Sequence, residues 1–117
     1  MISNYTTIKP GTKPKKELKY HNEPVKIDGI WFQSTKEGLR YSELKEMERV
    51  GLIFNLILQP RFDIKINSKH ICYYKADFQY VREGEIITED VKGVRTPVYK
   101  LKKKLVEAMY DIEILET

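Results

Sequence analysis

Asp77 and Asp90 are the acids whose placement carries the most chemistry. The dipeptide Glu83-Gly84 lies midway between them, so a hairpin folded there brings the two carboxyls side by side. Asp90-Val91-Lys92 then places an ammonium two residues from the second acid. With the period of two of a strand, Asp90 and Lys92 face one side while Val91 points to the other. Two carboxylates and a lysine on one patch repel in part and lose hydration. A divalent cation relieves that cost. Mg²⁺ takes hard oxygen ligands, commonly one or two carboxylates together with phosphate oxygens. The Val91 carbonyl could add another oxygen. Lys92 would hold an attacking water or stabilise charge on a phosphate.

The elements that must position these groups are legible in outline. Asp28-Gly29 between Val25–Ile27 and Ile30–Phe32 predicts a tight hairpin. Ser34-Thr-Lys-Glu37 opens a helix with a capping-box pattern, and Gly51 is its expected left-handed stop. Glu37 shares a face with Tyr41 and Leu44, so it reads either as a capping residue or as an inward-pointing acid. Leu52–Leu58 predicts a buried strand that Gln59-Pro60 ends or bends, and Phe62–Ile66 alternates as a half-buried strand. Residues 70–81 predict one long aromatic strand, and residues 86–92 its neighbour. Thr96-Pro97 starts a second helix, whose expected apolar stripe is Leu101, Leu105, Ala108 and Met109. A short strand over 112–115 closes an α/β (mixed α+β) domain, a central mixed sheet flanked by helices.

In this order the residues resemble the PD-(D/E)XK nuclease superfamily. The motif residues are Ser34-Thr-Lys-Glu37, Leu58-Gln59-Pro60, Ala76-Asp77-Phe78 and Glu89-Asp90-Val91-Lys92-Gly93, followed by a Lys-rich helix. The arrangement is similar to small phage-encoded nucleases, to the endonuclease I type of Holliday-junction resolvase, and to the nuclease domain of some transposases. The resemblance spans roughly residues 26–116. It implies a restriction-endonuclease-like core, Asp77 and Asp90 as ligands of Mg²⁺ (with Mn²⁺ as substitute), Glu37 as a further acid and Lys92 as the lysine. Gln59 would lie near the site or simply end its strand. Two departures stand out. Ala76 replaces the proline of the superfamily's name, and Glu89 sits beside Asp90. Alternation sends Glu89 to the opposite face from Lys92, which selects Asp90.

The chain has 117 residues, 41% of them hydrophobic, enough for one domain but not for two with independent cores. Its single cysteine, Cys72, excludes an intrachain disulfide, and with only two histidines it makes no standard zinc ligand set. No apolar run approaches the ~18 residues of a membrane span, and the N-terminus has no signal-like apolar region. The expectation is a soluble protein of the cytoplasm, the host's if the chain is phage-encoded. Twenty-one Lys and Arg against 17 Asp and Glu give a net charge of +4, concentrated in two stretches. Residues 1–24, with Lys15 and Lys16, read as a basic flexible arm preceding a nuclease-like domain over 25–117. Residues 94–106 hold Arg95, Lys100, Lys102, Lys103 and Lys104 with no acid. Both stretches point to a DNA partner gripped through its phosphates. The expected activity is metal-dependent hydrolysis of DNA phosphodiesters, including branched or junction DNA, where a homodimer would cut two strands symmetrically. The alternatives are a flap or single-strand nuclease, and a non-catalytic nucleic-acid-binding or assembly protein of the same fold.

Overall fold

The computed structural model of the chain describes residues 23–117. All but the last two residues of the expected arm, including Lys15 and Lys16, lie outside the described residues.

Asp28 and Gly29 both take positive φ, at 54° and 75°. This two-residue turn matches the right-handed twist of its strands and pairs β1 (Val25–Ile27) with β2 (Ile30–Phe32). The hairpin lies against α1 (Thr35–Arg49). Ser34 Oγ accepts the Glu37 N–H at 3.1 Å, which satisfies one of the free donors of the first turn. The helix runs out at Val50, and Gly51 turns the chain with φ of 83°. Gly38 lets β1 approach the helix: a Cβ there would stand 2.6 Å from Val25 Cγ1 and 3.0 Å from Ile27 Cδ1.

β3 (Phe54–Leu58), β6 (Phe78–Arg82), β7 (Glu85–Asp90) and β8 (Ile114–Glu116) form a four-stranded mixed sheet in the order β3-β6-β7-β8, with β7 and β8 parallel. β3 is thus an edge strand and not the buried strand expected over 52–58. Asn55 takes φ of 56°, and the register slips between Phe54 and Ile57, so Leu52 and Phe54 stay more than half exposed while Ile53 is buried.

β4 (Arg61–Ile66) and β5 (Lys69–Lys75) make a separate two-stranded ribbon. The long strand expected over 70–81 is therefore broken at Ala76-Asp77, opposite Gln59-Pro60. Backbone bonds run through the break: Gln59 N–H to Asp77 O at 2.9 Å and Ala76 N–H to Pro60 O at 3.1 Å. Gln59 holds φ of 51° immediately before a proline, a sparsely populated conformation that bends the ribbon away from the sheet.

The bend divides the apolar interior in two. Phe32, Tyr41, Leu44, Ile53, Phe78 and Tyr80 form one core with α1. Phe62, Ile64, Tyr74, Ala76, Val106 and Ile114 form the other with α2 (Pro97–Tyr110). Burying a side chain such as Leu44 or Ile64 completely contributes ~1.5–3 kcal/mol. Thr96 caps α2 by accepting the Tyr99 N–H at 3.1 Å. Of the expected stripe of this helix only Leu105 packs against the core. Leu101 and Met109 are 59% and 43% exposed and Ala108 is also exposed, whereas Tyr99 and Val106 are buried. The aromatic Tyr99 and branched Val106 fill the space over β4 and β5 that the longer stripe would have covered.

Among the described residues no helix is long and apolar enough to cross a membrane.

Candidate active site

The bend sets the site. Phe78 pairs with Glu89, and one step further the Asp77 N–H reaches Glu89 O at 3.1 Å, which lays Asp77 beside Asp90 at the end of β7. Asp90 is the last residue of its strand, so the strand expected to reach Lys92 stops two residues short. The chain nonetheless stays aligned, because Thr117 N–H donates to Asp90 O at 3.0 Å and Lys92 N–H to Thr117 O at 3.1 Å. Alternation therefore survives in the side chains. Lys92 Nζ stands 3.3 Å from Asp90 Oδ1. Glu89 points to the other face, where Arg40 binds both its oxygens at 2.6 and 2.9 Å and the Tyr80 hydroxyl donates at 2.7 Å.

Glu37 completes the group from α1. It is buried and accepts the Gln33 N–H at 3.3 Å, one residue before the position a capping box would use. Its carboxyl is hydrogen-bonded to that of Asp77, and Asp77 in turn to Asp90. Contacts between carboxyls need shared protons. Burial, then the charge of Glu37, raises Asp77 far above the usual carboxylate range. Burial, then Asp77, does the same to Asp90, and burial raises Glu37. Val91 touches the site through its backbone: its N–H donates to Asp77 Oδ2 at 2.7 Å, while its side chain packs in the α1 core.

Several groups at the site were invisible in the sequence. The buried Tyr74 hydroxyl donates to Asp90 Oδ2, and the proximity of that carboxylate adds to burial in raising the phenol far above its ordinary value. Lys92 Nζ lies 4.0 Å from the centroid of the Tyr99 ring, so the lysine is held between a carboxylate and an aromatic face. Lys36 Nζ donates to the Lys92 carbonyl at 2.9 Å. A cleft of about 170 Å³ opens over Glu37 and Asp77, walled also by Gln33, Gln59, Lys75 and Ala76, with Asp90 buried behind Asp77 and outside its lining. Gln59 thus stands at the site as well as at the bend. Lys75 stands on the wall of the cleft, where burial and then Arg61 lower its pKa.

The second helix is less uniformly free than its lysines suggest. Arg95 Nε and Lys103 Nζ pair with Glu116, at 2.9 and 3.5 Å, while Lys100 and Lys104 are exposed.

The model of the family described as "Protein of unknown function (DUF1064)" matches residues 17–115. The chain belongs to this family. No curated protein and no solved structure matches it. The DUF1064 match runs through all four residues of the acid–lysine group.

Among the described residues no group of three or more His, Cys, Asp or Glu is arranged so that it could hold a metal ion. The donor chemistry nevertheless suits a hard cation. Glu37, Asp77 and Asp90 offer only oxygens, crowd one another, and keep protons that a divalent ion would displace.

Proposed function

We propose that this chain is a metal-dependent endonuclease of the PD-(D/E)XK type that hydrolyses DNA phosphodiester bonds. The observation that carries the reading is the convergence of three acids, Glu37 on α1, Asp77 at the break between β5 and β6 and Asp90 at the end of β7, with Glu37 and Asp77 lining one cleft and Lys92 bound to Asp90. A structural cluster would be expected to alternate charge, whereas here three acids share one place. Asp77 and Asp90 would hold Mg²⁺, with Mn²⁺ as substitute, and Glu37 would hold or orient a second ligand or water. The bound ion would supply Lewis-acid polarisation of the phosphoryl group. Lys92, fixed by Asp90 and the Tyr99 ring, supports the attacking water and the charge that grows on phosphate oxygens. Tyr74 keeps the Asp90 carboxyl oriented. Water attacks phosphorus in line; one P–O bond forms, the opposite ester P–O bond breaks, and configuration inverts. Exposed Lys100 and Lys104 give phosphate contacts without sequence reading.

The test is cleavage of linear duplex, single-stranded, flap and four-way-junction DNA in Mg²⁺, by wild type and by Asp77→Asn and Asp90→Asn. Cleavage by wild type alone, with DNA binding retained in both variants, supports the reading. No cleavage of any substrate in Mg²⁺ or Mn²⁺, or equal cleavage by all three proteins, refutes it.

A further inference from the structure

Beside the acid cleft runs a larger groove of about 650 Å³, between β5 and the first turns of α2. The two depressions adjoin: Lys75 lines both, and Lys92, in the wall of the groove, reaches Asp90. No Asp or Glu lines the groove. Two of its lysines, with Arg61 from the neighbouring strand, gather round one ring. Tyr73 is 38% exposed on β5, with the Arg61 guanidinium carbon 4.1 Å from its ring centroid, Lys75 Nζ at 5.7 Å and Lys102 Nζ at 5.8 Å. Arg61 has Asp63 as a partner at 3.1 Å, but among the described residues neither Lys75 nor Lys102 has a carboxylate within ion-pair distance. Three like charges thus crowd one partly exposed aromatic ring, Arg61 against its face, and only Arg61 has an acid beside it. That arrangement suits a polyanion with flat apolar faces.

We infer that this groove seats a single-stranded stretch of the DNA next to the bond to be cut, one unpaired base stacking at Tyr73 and the flanking phosphates on Lys75 and Lys102. The inference rests on the nuclease reading for the position of the strand, but not for its binding. A paired duplex could use the lysines, yet its bases are already stacked and cannot reach the ring. Base–aromatic stacking needs no particular sequence, because every base has a π-face. The substrate class follows: DNA that carries unpaired nucleotides, as at a flap, a gap or an opened branch point. The volume lies within the ~300–1,000 Å³ of sites that enclose a small-molecule-sized group. The groove thus holds little more than a nucleotide or two.

The experiment separates base from phosphate. Binding of a labelled oligothymidine and of an abasic oligomer of equal length is measured by fluorescence anisotropy in chelator, where nothing can be cleaved. Wild type should prefer the oligothymidine by about tenfold, a factor that one base stacked on an aromatic ring supplies. Tyr73→Ala should remove the preference and leave abasic binding unchanged, while Tyr73→Phe, which keeps the ring, retains it and controls for folding. Lys102→Ala should weaken both ligands alike. Equal binding of the two oligomers by wild type, or a preference that survives Tyr73→Ala, overturns the inference. Mg²⁺-dependent cleavage is read separately on the same preparations. Cleavage without base preference overturns the groove and leaves the nuclease reading standing. Base preference without cleavage overturns the nuclease reading and supports the groove.

Discussion

Without metal, this protein should lose stability as the pH rises from mildly acidic to mildly alkaline, and Asp90→Asn should abolish much of that loss. Asp77 is raised from 3.8 to about 7 and Asp90 from 3.8 to about 8. A carboxyl raised by folding binds its proton more tightly in the native than in the unfolded chain. Its contribution is whole below the unfolded value and disappears as pH climbs through the folded one. Groups held low behave oppositely, but Glu116, at about 2, and Asp63 have delivered their full contribution by pH ~5. Holding one proton to about 8 instead of 3.8 corresponds to at most ~6 kcal/mol at ~1.36 kcal/mol per pH unit. Sharing of protons within the cluster and water reaching Asp77 leave about half, ~3 kcal/mol. A domain of this size shifts by ~4–8 °C per kcal/mol, so Tm should fall by ~12–24 °C between pH ~5 and ~8. The assay is thermal unfolding followed by circular dichroism in chelator across that range. Asn at position 90 has no proton to lose, so the variant should lose the share of the slope that Asp90 supplies, keep the share of Asp77 and Glu37, and exceed wild type in Tm at the alkaline end. Excess Mg²⁺ should restore wild type at alkaline pH and leave the variant unmoved. A wild-type Tm that is flat or rising with pH, or an equal slope in the variant, would refute the reasoning.

Arg40→Ala strands the fully buried Glu89 with only hydroxyl partners, and denaturant unfolding should report a loss of ~3–5 kcal/mol. Gly38→Ala drives a methyl group into Val25 and Ile27. It should cost ~1–3 kcal/mol in the same measurement and show first as exposure of the Trp31 fluorescence when the β1–β2 hairpin lifts from α1.

Local chemistry made part of this structure readable in advance. Asp28-Gly29, Ser34 and Thr96 act within a few residues of themselves, so turn and cap residues announced them. Asp77 and Asp90 could be placed together because they stand equally far from the Glu83-Gly84 turn, and Glu37 because a helix repeats every three to four residues. The break at Ala76-Asp77 was hidden, since β-branched and aromatic residues favour extended backbone on both sides of a bend. The stripe of α2 has apolar residues on more than one face, and only the space over β4 and β5 decides that Tyr99 and Val106 go in while Leu101 stays out. Tyr74 and Lys75 carried no signal because a tyrosine that orients a carboxylate looks the same in sequence as one that fills a core.

The turn at Glu83-Gly84 also acts as a ruler. Asp77 lies six residues before Glu83 and Asp90 six residues after Gly84, and the pairs Arg82–Glu85 through Phe78–Glu89 transmit that count without a slip. Side chains within these arms can be exchanged with little effect on where the acids meet. Adding or deleting a single residue in one arm cannot, because it carries one acid a step along and turns it to the opposite face of the sheet. Length changes are absorbed only at the tip, outside Arg82 and Glu85. The hairpin is therefore tolerant in spelling and strict in counting, and two arms of fixed length are what hold the acids of this cleft together.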